Sequence, residues 1–523
     1  MIIGMKQNKI AVIGCGIAAL PILKKSRELE IITYCFSLSV NASVEGWYDH
    51  HIIIDYLDAS SIIEACRKIG VDGVIATGEN TTATTAQVAK ALGLPGNKFN
   101  GEFIANNKYL ERKSLENSKY VLQPAYYVFD GKVPQLPVIV KATDSSGKKG
   151  ISIARTKEEF DSAILYSREV SKNGIILLEE YLEGGVEYSI ECLSAKGKHQ
   201  IIQVTQKNVS GPPHFSELGH HEPGVLDIPF EQLKKAIDEI LDKTGITNSL
   251  SHVEVKIIDG KIYFIELGAR GGGDRISDTL VYLSTDFDIF KSAIEISLGT
   301  YEPVESHCTN YAGIYFLCKQ TEYLLPLFSY AMGKEWCKEI KIPSKDLEYK
   351  NGNDDGNTSG FLIYQSDHMI TMKDLPFIID RINSYHNALS MLCEFTRNSG
   401  RSISDEDMTL GMLKFINQGN VIGCYFNNKL YGMLNVYCNH LETGDAYINN
   451  VEILNDYRGL GLSKKLLHKA YEVVKENGFK SVSLEVAIDN TIAVNLYQKE
   501  GFLFTNEKRE FKGNILLEMR KFL

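Results

Sequence analysis

The sequence lacks the features that mark secreted, zinc-binding or membrane-spanning proteins. Its ten cysteines are scattered without CxxC spacing, which argues against a zinc site or a disulfide framework and favours a reducing cytosol. The early apolar run KIAVIGCGIAALPIL is too short to span a bilayer, and no signal-peptide pattern is present. We therefore expect a cytoplasmic protein without a membrane partner.

An excess of positive charge is also missing. The 523 residues include 56 basic and 66 acidic side chains, a formal net charge of −10, and no basic stripe is visible. This balance argues against a nucleic-acid partner and leaves small molecules as the expected partners. A hydrophobic content of 44% and a charged content of 23% are typical of a globular protein. The length predicts about three to four domains.

One stretch, SHVEVKIIDGKIYFIELGARGGGDR at 251–275, concentrates charged groups between apolar runs. Asp259 and Gly260 separate two strand-like runs and predict a hairpin. Glu254 lies on the first run and Glu266 on the second, and Arg270 follows directly with a glycine cluster. Two carboxylates beside a cation suit Mg²⁺ (or Mn²⁺) bound to a nucleotide triphosphate, because Mg²⁺ takes few carboxylates plus phosphate oxygens.

The register of this hairpin decides whether the two glutamates meet. With a plain two-residue turn, Glu254 pairs with Ile265, and Glu266 points to the opposite face. The glutamates share a face only if the loop has an odd length, so we predict a three-residue loop with a bulge at Gly260. The alternative is an ordinary exposed hairpin with both glutamates in water.

The N-terminal region predicts a Rossmann-like domain. A buried strand at Lys9–Ile13 leads into a GxG turn, but Ala19 stands where a dinucleotide site needs its third glycine. Alternating strands and helices follow, which predicts a parallel sheet with helices on both faces. Ligands bind at the carboxyl edge of such sheets. Glu79, which follows the strand Gly73–Ala76, is therefore either a contact for a substrate amine or a helix cap.

The middle of the chain offers groups suited to a nucleotide. Lys108 and Arg112 lie one helical turn apart and project together. A strand carries Lys141 into a small-residue turn, 144–150, whose backbone N–H groups can approach phosphates. After the strand 175–178, a hinge-like segment can read an adenine edge through its backbone, while a nearby carboxylate binds ribose hydroxyls.

Five stretches in order resemble the ATP-grasp superfamily, and most closely its carboxylate–amine ligases that look like one half of a carbamoyl phosphate synthetase large subunit. They are VDGVIATGEN…ALGLPG, NNKYLERK, PVIVKATDSSGKKG, LLEEYLEGGVEYSIE and HVEVKIIDGKIYFIELGARGGG. The resemblance covers roughly Lys9 to Arg381. It implies activation of a carboxylate by ATP as an acyl phosphate, which an amine then attacks.

The same resemblance assigns roles to single residues. Arg270 would steady the transferred phosphoryl group, and the loop 207–223 would face the substrate, although a proline-rich surface loop remains the alternative there. The implied ATP contacts are Lys108, Lys141, Ser146, Gly147, Glu179, Glu180, Leu182 and Glu187; the implied metal ligands are Glu254 and Glu266; the implied substrate contacts are Glu79, His214, Glu217 and His220.

One position departs from the family pattern. The family writes Glu-x-Asn-x-Arg at the metal, whereas this chain has Glu266-Leu267-Gly268-Ala269-Arg270. Gly268 has no side chain to coordinate, so either water replaces the missing ligand or a second metal is held loosely. The departure leaves the number of metal ions open.

The C-terminal region, from about Tyr385 to Leu523, resembles the GNAT acetyltransferases. Its glycine turn opens a helix whose free N–H groups and dipole suit a pyrophosphate, and an N-x-x-A-x-x-x-Y-x-x-x-GF stretch follows. The resemblance implies that Tyr497 protonates the departing thiolate, and Glu452 is our candidate base unless strand alternation turns it away. The implied acetyl-CoA contacts are Ile453, Arg458, Gly459, Gly461, Ser463 and Asn490.

The predicted fold class is a multidomain α/β and α+β protein. Its predicted parts are a Rossmann-like preATP-grasp domain (1–105), an ATP-grasp domain (106–384) and a GNAT domain (385–523). We expect a bifunctional enzyme, an ATP-dependent carboxylate–amine ligase joined to an acetyl-CoA-dependent N-acetyltransferase. The alternative is an active acetyltransferase carrying a non-catalytic, ATP-binding scaffold. A homodimer is left open.

Overall fold

The computed structural model describes residues 7–145, 147, 149–212, 215–344, 346–350, 360–383, 385–439, 442, 444–511 and 513–523. They form two compact units. The first unit contains Met1–Glu322 and Ala331–Met369, and the second contains Tyr323–Tyr330 and Ile370–Leu523. No helix among the described residues is long and apolar enough to cross a membrane.

The first unit begins with a four-stranded parallel sheet in the order β3-β2-β1-β4. Helices cover both faces because the strands are apolar on both sides. Helix α2 is bounded by the Asp58 cap and by the left-handed Gly70, and α3 ends at the left-handed Gly93. The elements are β1 (Lys9–Ile13), β2 (Ile32–Phe36), β3 (His50–Ile52), β4 (Gly73–Ala76), α1 (Leu20–Glu28), α2 (Ala59–Ile69) and α3 (Thr82–Leu92).

A small antiparallel sheet follows, in the order β5-β8-β6-β7. Helix α5 packs its apolar residues against β6 and β7, which buries Phe160 and Ile164. The elements are β5 (Tyr126–Val128), β6 (Val138–Ala142), β7 (Ser152–Ala154), β8 (Ile176–Glu180), α4 (Lys108–Ser114) and α5 (Lys157–Val170).

An eight-stranded antiparallel sheet forms the centre of the first unit, in the order β13-β12-β9-β10-β11-β14-β16-β15. Its strands are β9 (Val186–Ala195), β10 (Lys198–Val209), β11 (Glu217–Glu222), β12 (Ser249–Ile258), β13 (Lys261–Gly268), β14 (Tyr311–Leu317), β15 (Cys337–Lys341) and β16 (Gly360–Ser366). Its helices are α6 (Phe230–Thr244), α7 (Val281–Thr285) and α8 (Ile289–Leu298).

The two faces of this large sheet differ in chemistry at β9 and β12. Val253, Val255 and Ile257 point to one face and pack with the apolar side of α6. His252, Glu254 and their paired neighbours point to the other. Alternation therefore gives the sheet one buried core face and one polar face, and the polar face carries the candidate site.

The second unit is a seven-stranded mixed sheet in the order β17-β18-β19-β20-β21-β23-β22. Its strands are β17 (Ile378–Arg381), β18 (Asn420–Phe426), β19 (Lys429–Tyr437), β20 (Asp445–Ile453), β21 (Ser481–Ala487), β22 (Leu503–Phe511) and β23 (Asn514–Phe522). Its helices are α9 (Leu325–Ala331, of which the last residue clusters with the first unit), α10 (Ala388–Asn398), α11 (Asp405–Gln418), α12 (Leu462–Glu476) and α13 (Thr491–Lys499).

The second unit begins before the predicted boundary at residue 385. Strand β17 pairs with β18, and the unit's main segment starts at Ile370. Sequence reasoning found no first strand for this domain, because four residues with alternating exposure carry a weak hydrophobic signal. The division of the chain into three domains stays a prediction.

Candidate functional site

The hairpin between β12 and β13 brings the two predicted metal ligands together by a different route from the one predicted. Asp259 and Gly260 form a plain two-residue turn with both φ angles positive, and Ile258 pairs with Lys261. The prediction of a three-residue loop with a bulge at Gly260 is therefore wrong. The bulge lies at Ile265, between the pairs Val255–Phe264 and Glu254–Glu266.

This bulge places Glu254 directly opposite Glu266 on the polar face. Lys108 Nζ lies 2.8 Å from Glu266 Oε1, and Lys207 Nζ lies 2.6 Å from Glu254 Oε1. Burial raises the pKa of Glu266, but Lys108 and Lys141 together leave that pKa below its ordinary value. Each carboxylate of the pair is thus contacted by a lysine from another element.

The donor set fits one Mg²⁺ ion whose remaining ligands are phosphate or water oxygens. Opposed carboxylates supply the hard oxygen atoms that Mg²⁺ prefers. Among the described residues, no group of three or more His, Cys, Asp or Glu side chains is arranged to hold a metal ion. The assignment of Glu254 and Glu266 as the metal ligands stays a prediction.

Lys207 opens the segment 207–223 that was expected to face the substrate, but its contact with the acidic pair was not predicted. It lies on β10, is buried, and reaches both Glu254 and Glu217, the latter at 3.0 Å. Burial lowers its pKa, and the two carboxylates more than reverse this, so the side chain stays charged. Strand alternation in IIQVTQKNV could have indicated that Lys207 shares a face with Thr205 and Gln203.

The small sheet contributes a buried cation–carboxylate cluster. Lys141 Nζ lies 2.6 Å from Glu179 Oε2, and Arg112 Nε lies 2.8 Å from Glu179 Oε1. Burial alone would raise the pKa of Glu179, but Arg112 and Lys141 lower it to about 2. The Glu179 side chain, predicted to frame adenine, instead holds the two cations, and Lys141 is close enough to lower the pKa of Glu266.

The hinge after β8 is tied to the large sheet by Lys256. Its Nζ donates to the Leu182 carbonyl oxygen at 2.9 Å and lies 3.7 Å from Glu187 Oε1. The exposed Glu180 accepts a hydrogen bond from the Ala125 N–H. The structure thus brings Leu182 and Glu187 to one lysine, and Lys256 was not among the predicted site residues.

The turn predicted to cradle phosphates lies beside Lys108. Lys108 Nζ donates to the Ser145 carbonyl oxygen at 2.6 Å while also contacting Glu266, so one lysine joins this turn to the acidic pair. Gly147 has a φ of +65°, which an L side chain rarely adopts. Ser146, a predicted ATP contact, and His214, a predicted substrate contact, lie outside the described residues.

Glu79 reaches the glycine-altered position of the metal motif. Its Oε2 accepts a hydrogen bond from Arg270 Nε at 3.0 Å, and a Cβ added at Gly268 would lie 2.8 Å from the same oxygen. Burial raises the pKa of Glu79, and Arg270 partly opposes this effect. The Glu79 carboxylate, from the short helix that follows β4, therefore occupies the space that a side chain at 268 would need.

Of the remaining predicted substrate contacts, Glu217 pairs with Lys207, and His220 lies beside Lys207 across β10 and β11. The His220 ring is buried against Phe316, with Nε2 3.9 Å from Asp274. Next to the Gly271–Gly273 loop, a cavity of about 800 Å³ is lined by Arg270, by the edge of the first sheet and by apolar side chains that include Phe316 and Phe361. Its position suits a small substrate.

The second unit shows a separate opening between two parallel strands. β20 and β21 pair only from Asp445 to Ile448, so the end of β20 that includes Ile453 leaves its neighbour. Arg458 Nε donates to the Ile453 carbonyl oxygen at 3.3 Å. Gly459 and Gly461 have positive φ, and Gly461 is the N-cap of α12 and offers no side-chain cap to the first N–H groups of the helix.

The predicted catalytic residues of this unit have different surroundings. Tyr497 is buried beside Phe502, and burial raises its pKa to about 12, which keeps a proton on the hydroxyl. Glu452 is ion-paired with Arg401 at 2.7 Å. Asn490 caps α13, and Ser463 lies in the first turn of α12.

Comparison with known proteins agrees with this architecture. Residues 134–278 match the model of the ATP-grasp domain, and residues 388–502 match that of the acetyltransferase (GNAT) family. The chain therefore combines an ATP-grasp domain with a GNAT domain. The predicted resemblances and the predicted fold class are confirmed.

Individual relatives cover only parts of the chain. A carbamoyl phosphate synthase large chain from Halomonas eurihalina is 26% identical over 174 residues, 31% of this chain and 15% of that protein. Dapdiamide A synthase from Enterobacter agglomerans is 25% identical over 246 residues, 43% of this chain and 57% of that protein. The L-amino acid ligase from Bacillus licheniformis shares the fold, with a TM-score of 0.54 at 21% identity over 70% of this chain and 95% of that one.

Proposed function

We propose that the chain is a bifunctional enzyme whose first unit joins a carboxylate to an amine at the expense of ATP. The observation that carries this proposal is the opposed Glu254–Glu266 pair, which is flanked by Lys108 and Lys207. The names of two similar proteins, a dapdiamide A synthase and an L-amino acid ligase, support amino acids as the substrate class.

The residues around the pair suit phosphoryl transfer to a carboxylate. Lys108 and Lys141 neutralise the phosphate charge, and Arg270 stabilises the transferred group. Mg²⁺, when held by Glu254 and Glu266, supplies further charge neutralisation. The substrate carboxylate oxygen bonds to the γ-phosphorus as ADP leaves. The amine nitrogen then bonds to the acyl carbon, gives up a proton and displaces phosphate. Catalysis rests on positioning, and no covalent enzyme intermediate forms.

A screen of amino acids for ADP release tests the ligase. We expect amide formation with the correct pair and a loss of about 100-fold in rate for Glu266→Gln, because one charge-positioning group is removed. Lys132→Ala changes an exposed lysine of the same unit and should leave the rate unchanged. If the wild type binds ATP but releases no ADP with any amino acid, the result favours the alternative of a non-catalytic, ATP-binding scaffold. The missing side chain at Gly268 is the reason for considering that alternative.

For the second unit we propose acetyl transfer from acetyl-CoA to an amine. The pyrophosphate would lie on the N–H groups at the start of α12, and the pantetheine in the opening beside Ile453. The amine nitrogen bonds to the thioester carbon and gives up a proton to Glu452, directly or through water. The carbon–sulfur bond breaks, and Tyr497 gives its proton to the departing thiolate.

Paired tyrosine variants test this role. Tyr497→Phe should lower acetyl transfer by about 100-fold or more, because a general acid is lost. Tyr471→Phe is the matched control, since Tyr471 is also buried and also packs against Phe502. Mass spectrometry of the acetylated amine gives the measurement. Equal rates for the two variants would remove Tyr497 from the mechanism.

A further inference from the structure

A fully buried carboxylate lies beneath the glycine loop of the first unit. Glu191, on β9, has none of its surface exposed and accepts three hydrogen bonds from three separate segments. The donors are the Gly272 N–H at 3.1 Å, the Ser277 hydroxyl and the Nδ1 atom of His252. One side chain therefore ties the glycine loop, the π-helix Ile276–Leu280 and β12 together.

His252 carries this connection to the acidic pair. Its other ring nitrogen, Nε2, lies 3.3 Å from Glu254 Oε1, and Lys207 Nζ lies 2.6 Å from the same oxygen. The imidazole is buried and bridges two carboxylates on one face of the large sheet. Any rotation of the Glu254 carboxylate must therefore displace His252 or Lys207.

Two of the three glycines of the loop, Gly271 and Gly272, leave no room for a side chain in this packing. A Cβ at Gly272 would lie 2.6 Å from both Glu191 Oε1 and His252 Nδ1, and a Cβ at Gly271 would lie 2.8 Å from Ser277 Oγ. The two residues that follow the loop, Asp274 and Arg275, have positive φ, which costs free energy in non-glycine residues. The backbone of the Gly271–Gly273 loop is thus packed closely against Glu191.

We propose that Glu191 and His252 are positioning residues that couple the conformation of the Gly271–Gly273 loop to the orientation of the Glu254 carboxylate. The inference rests on the proposed function, because it takes Glu254 as a ligand of the metal–nucleotide complex. Binding at Glu254 then orders the loop that borders the substrate cavity, and a disturbance of the loop weakens metal binding. Supporting groups behind a ligand act in this way in other metal sites.

Two binding measurements on the full chain test the coupling without a known substrate. Mn²⁺ affinity is measured by electron paramagnetic resonance with a non-hydrolysable ATP analogue present. Hydrogen–deuterium exchange follows the amides of 271–273 with and without the same Mn²⁺–nucleotide complex. In the wild type we expect the complex to protect the loop amides. In His252→Gln and Glu191→Gln we expect Mn²⁺ affinity to fall about 10- to 100-fold and the ligand-dependent protection to disappear.

The control is His199→Gln. His199 is a second histidine of the large sheet, and its ring nitrogens also contact a hydroxyl and a carboxylate, Ser194 and Asp242, rather than the acidic pair. It should change neither measurement. If the buried variants fail to fold, Ser277→Ala removes one donor to Glu191 without changing charge, and it should also reduce loop protection.

The outcomes separate the two proposals. A wild-type chain that binds no Mn²⁺–nucleotide overturns the proposed function and this inference with it. A wild-type chain that binds, together with folded variants that keep full loop protection and Mn²⁺ affinity, overturns the inference alone. A purely structural role would lower the melting temperature of the variants but leave the ligand-dependent protection intact.

Discussion

At the scale of single residues, Gly268 and Glu79 form a complementary pair. The missing side chain at 268 leaves room for the Glu79 carboxylate, which lies against Arg270. Where the family has an asparagine side chain, this chain therefore has the carboxylate of Glu79. Such compensation cannot be read from the motif alone, because Glu79 and Gly268 are far apart in the sequence.

This pairing predicts that restoring the family residue is harmful. Gly268→Asn places a Cβ within 2.8 Å of Glu79 Oε2, so we expect a lower melting temperature and less ADP release. The double variant Gly268→Asn/Glu79→Ala removes the clash and should recover the melting temperature. Differential scanning fluorimetry gives the comparison. Higher activity in Gly268→Asn alone would show that the asparagine is accommodated.

Glu222 gives the first unit a pH-dependent stability. This buried carboxyl accepts hydrogen bonds from the hydroxyls of Thr205 and Ser284, and burial raises its pKa from 4.5 to about 8. Between these values the folded chain holds a proton that the unfolded chain has released. The free energy of unfolding therefore falls as pH rises from 4.5 to 8, by at most roughly 1.4 kcal/mol per pH unit.

Glu222→Gln should remove this dependence, because the amide keeps the shape and does not ionise. Relative to the wild type, the variant should gain stability at pH 8 and not at pH 4.5. Both tryptophans, Trp47 and Trp336, lie in the first unit, so tryptophan fluorescence during urea unfolding follows that unit. Parallel pH profiles of the two proteins would contradict the assignment.

At the scale of secondary-structure elements, the hairpin shows which features local sequence patterns predict and which they do not. Alternation and the Asp259-Gly260 turn predicted both strands and the turn residues. The bulge lies at Ile265 because the neighbouring chain decides the register there: Arg112 donates to the Ile265 carbonyl oxygen at 2.8 Å, and β9 fixes β12 from the other side. These contacts join residues remote in sequence, so local propensity could not locate the bulge.

The set of residues that meet on the polar face of the large sheet also depends on contacts between segments remote in sequence. The sequence predicted roles for Glu254, Glu266 and Lys108 from their motifs. Lys207, His252 and Glu191 lie within the same stretches, but no role was predicted for their side chains. They become neighbours only when β9, β10 and β12 pair in their observed registers. Pairing between strands decides which alternate residues meet, and pairing is a tertiary property.

At the scale of the whole molecule, the two units are interleaved in sequence. The segment Tyr323–Tyr330 belongs to the second unit although it lies between strands of the first. Its Tyr323 carbonyl oxygen accepts a hydrogen bond from the Tyr457 hydroxyl at 2.9 Å, and the Tyr330 ring packs against Phe426. A simple cut between the two domains therefore removes part of the second unit.

We expect the fragment Ile370–Leu523 to be less stable than the same unit in the full chain. Loss of the segment exposes apolar surface. This lowers the free energy of unfolding by about 1.5–3 kcal/mol for each large side chain that the segment had fully covered. Circular dichroism melting compares the fragment with one in which Tyr323–Tyr330 is joined by a flexible linker. Identical melting temperatures for the two fragments would show that the segment is dispensable.

The sequence by itself determined the element types, the order of the motifs and the two domain families, because hydrophobic periodicity, turn residues and short motifs are local properties. The tertiary structure decided which charges meet: the bulge that opposes Glu254 and Glu266, the Glu79 carboxylate beside Gly268, and the buried Glu191–His252 bridge. These arrangements depend on strand registers and on contacts between distant segments, which a linear pattern does not encode.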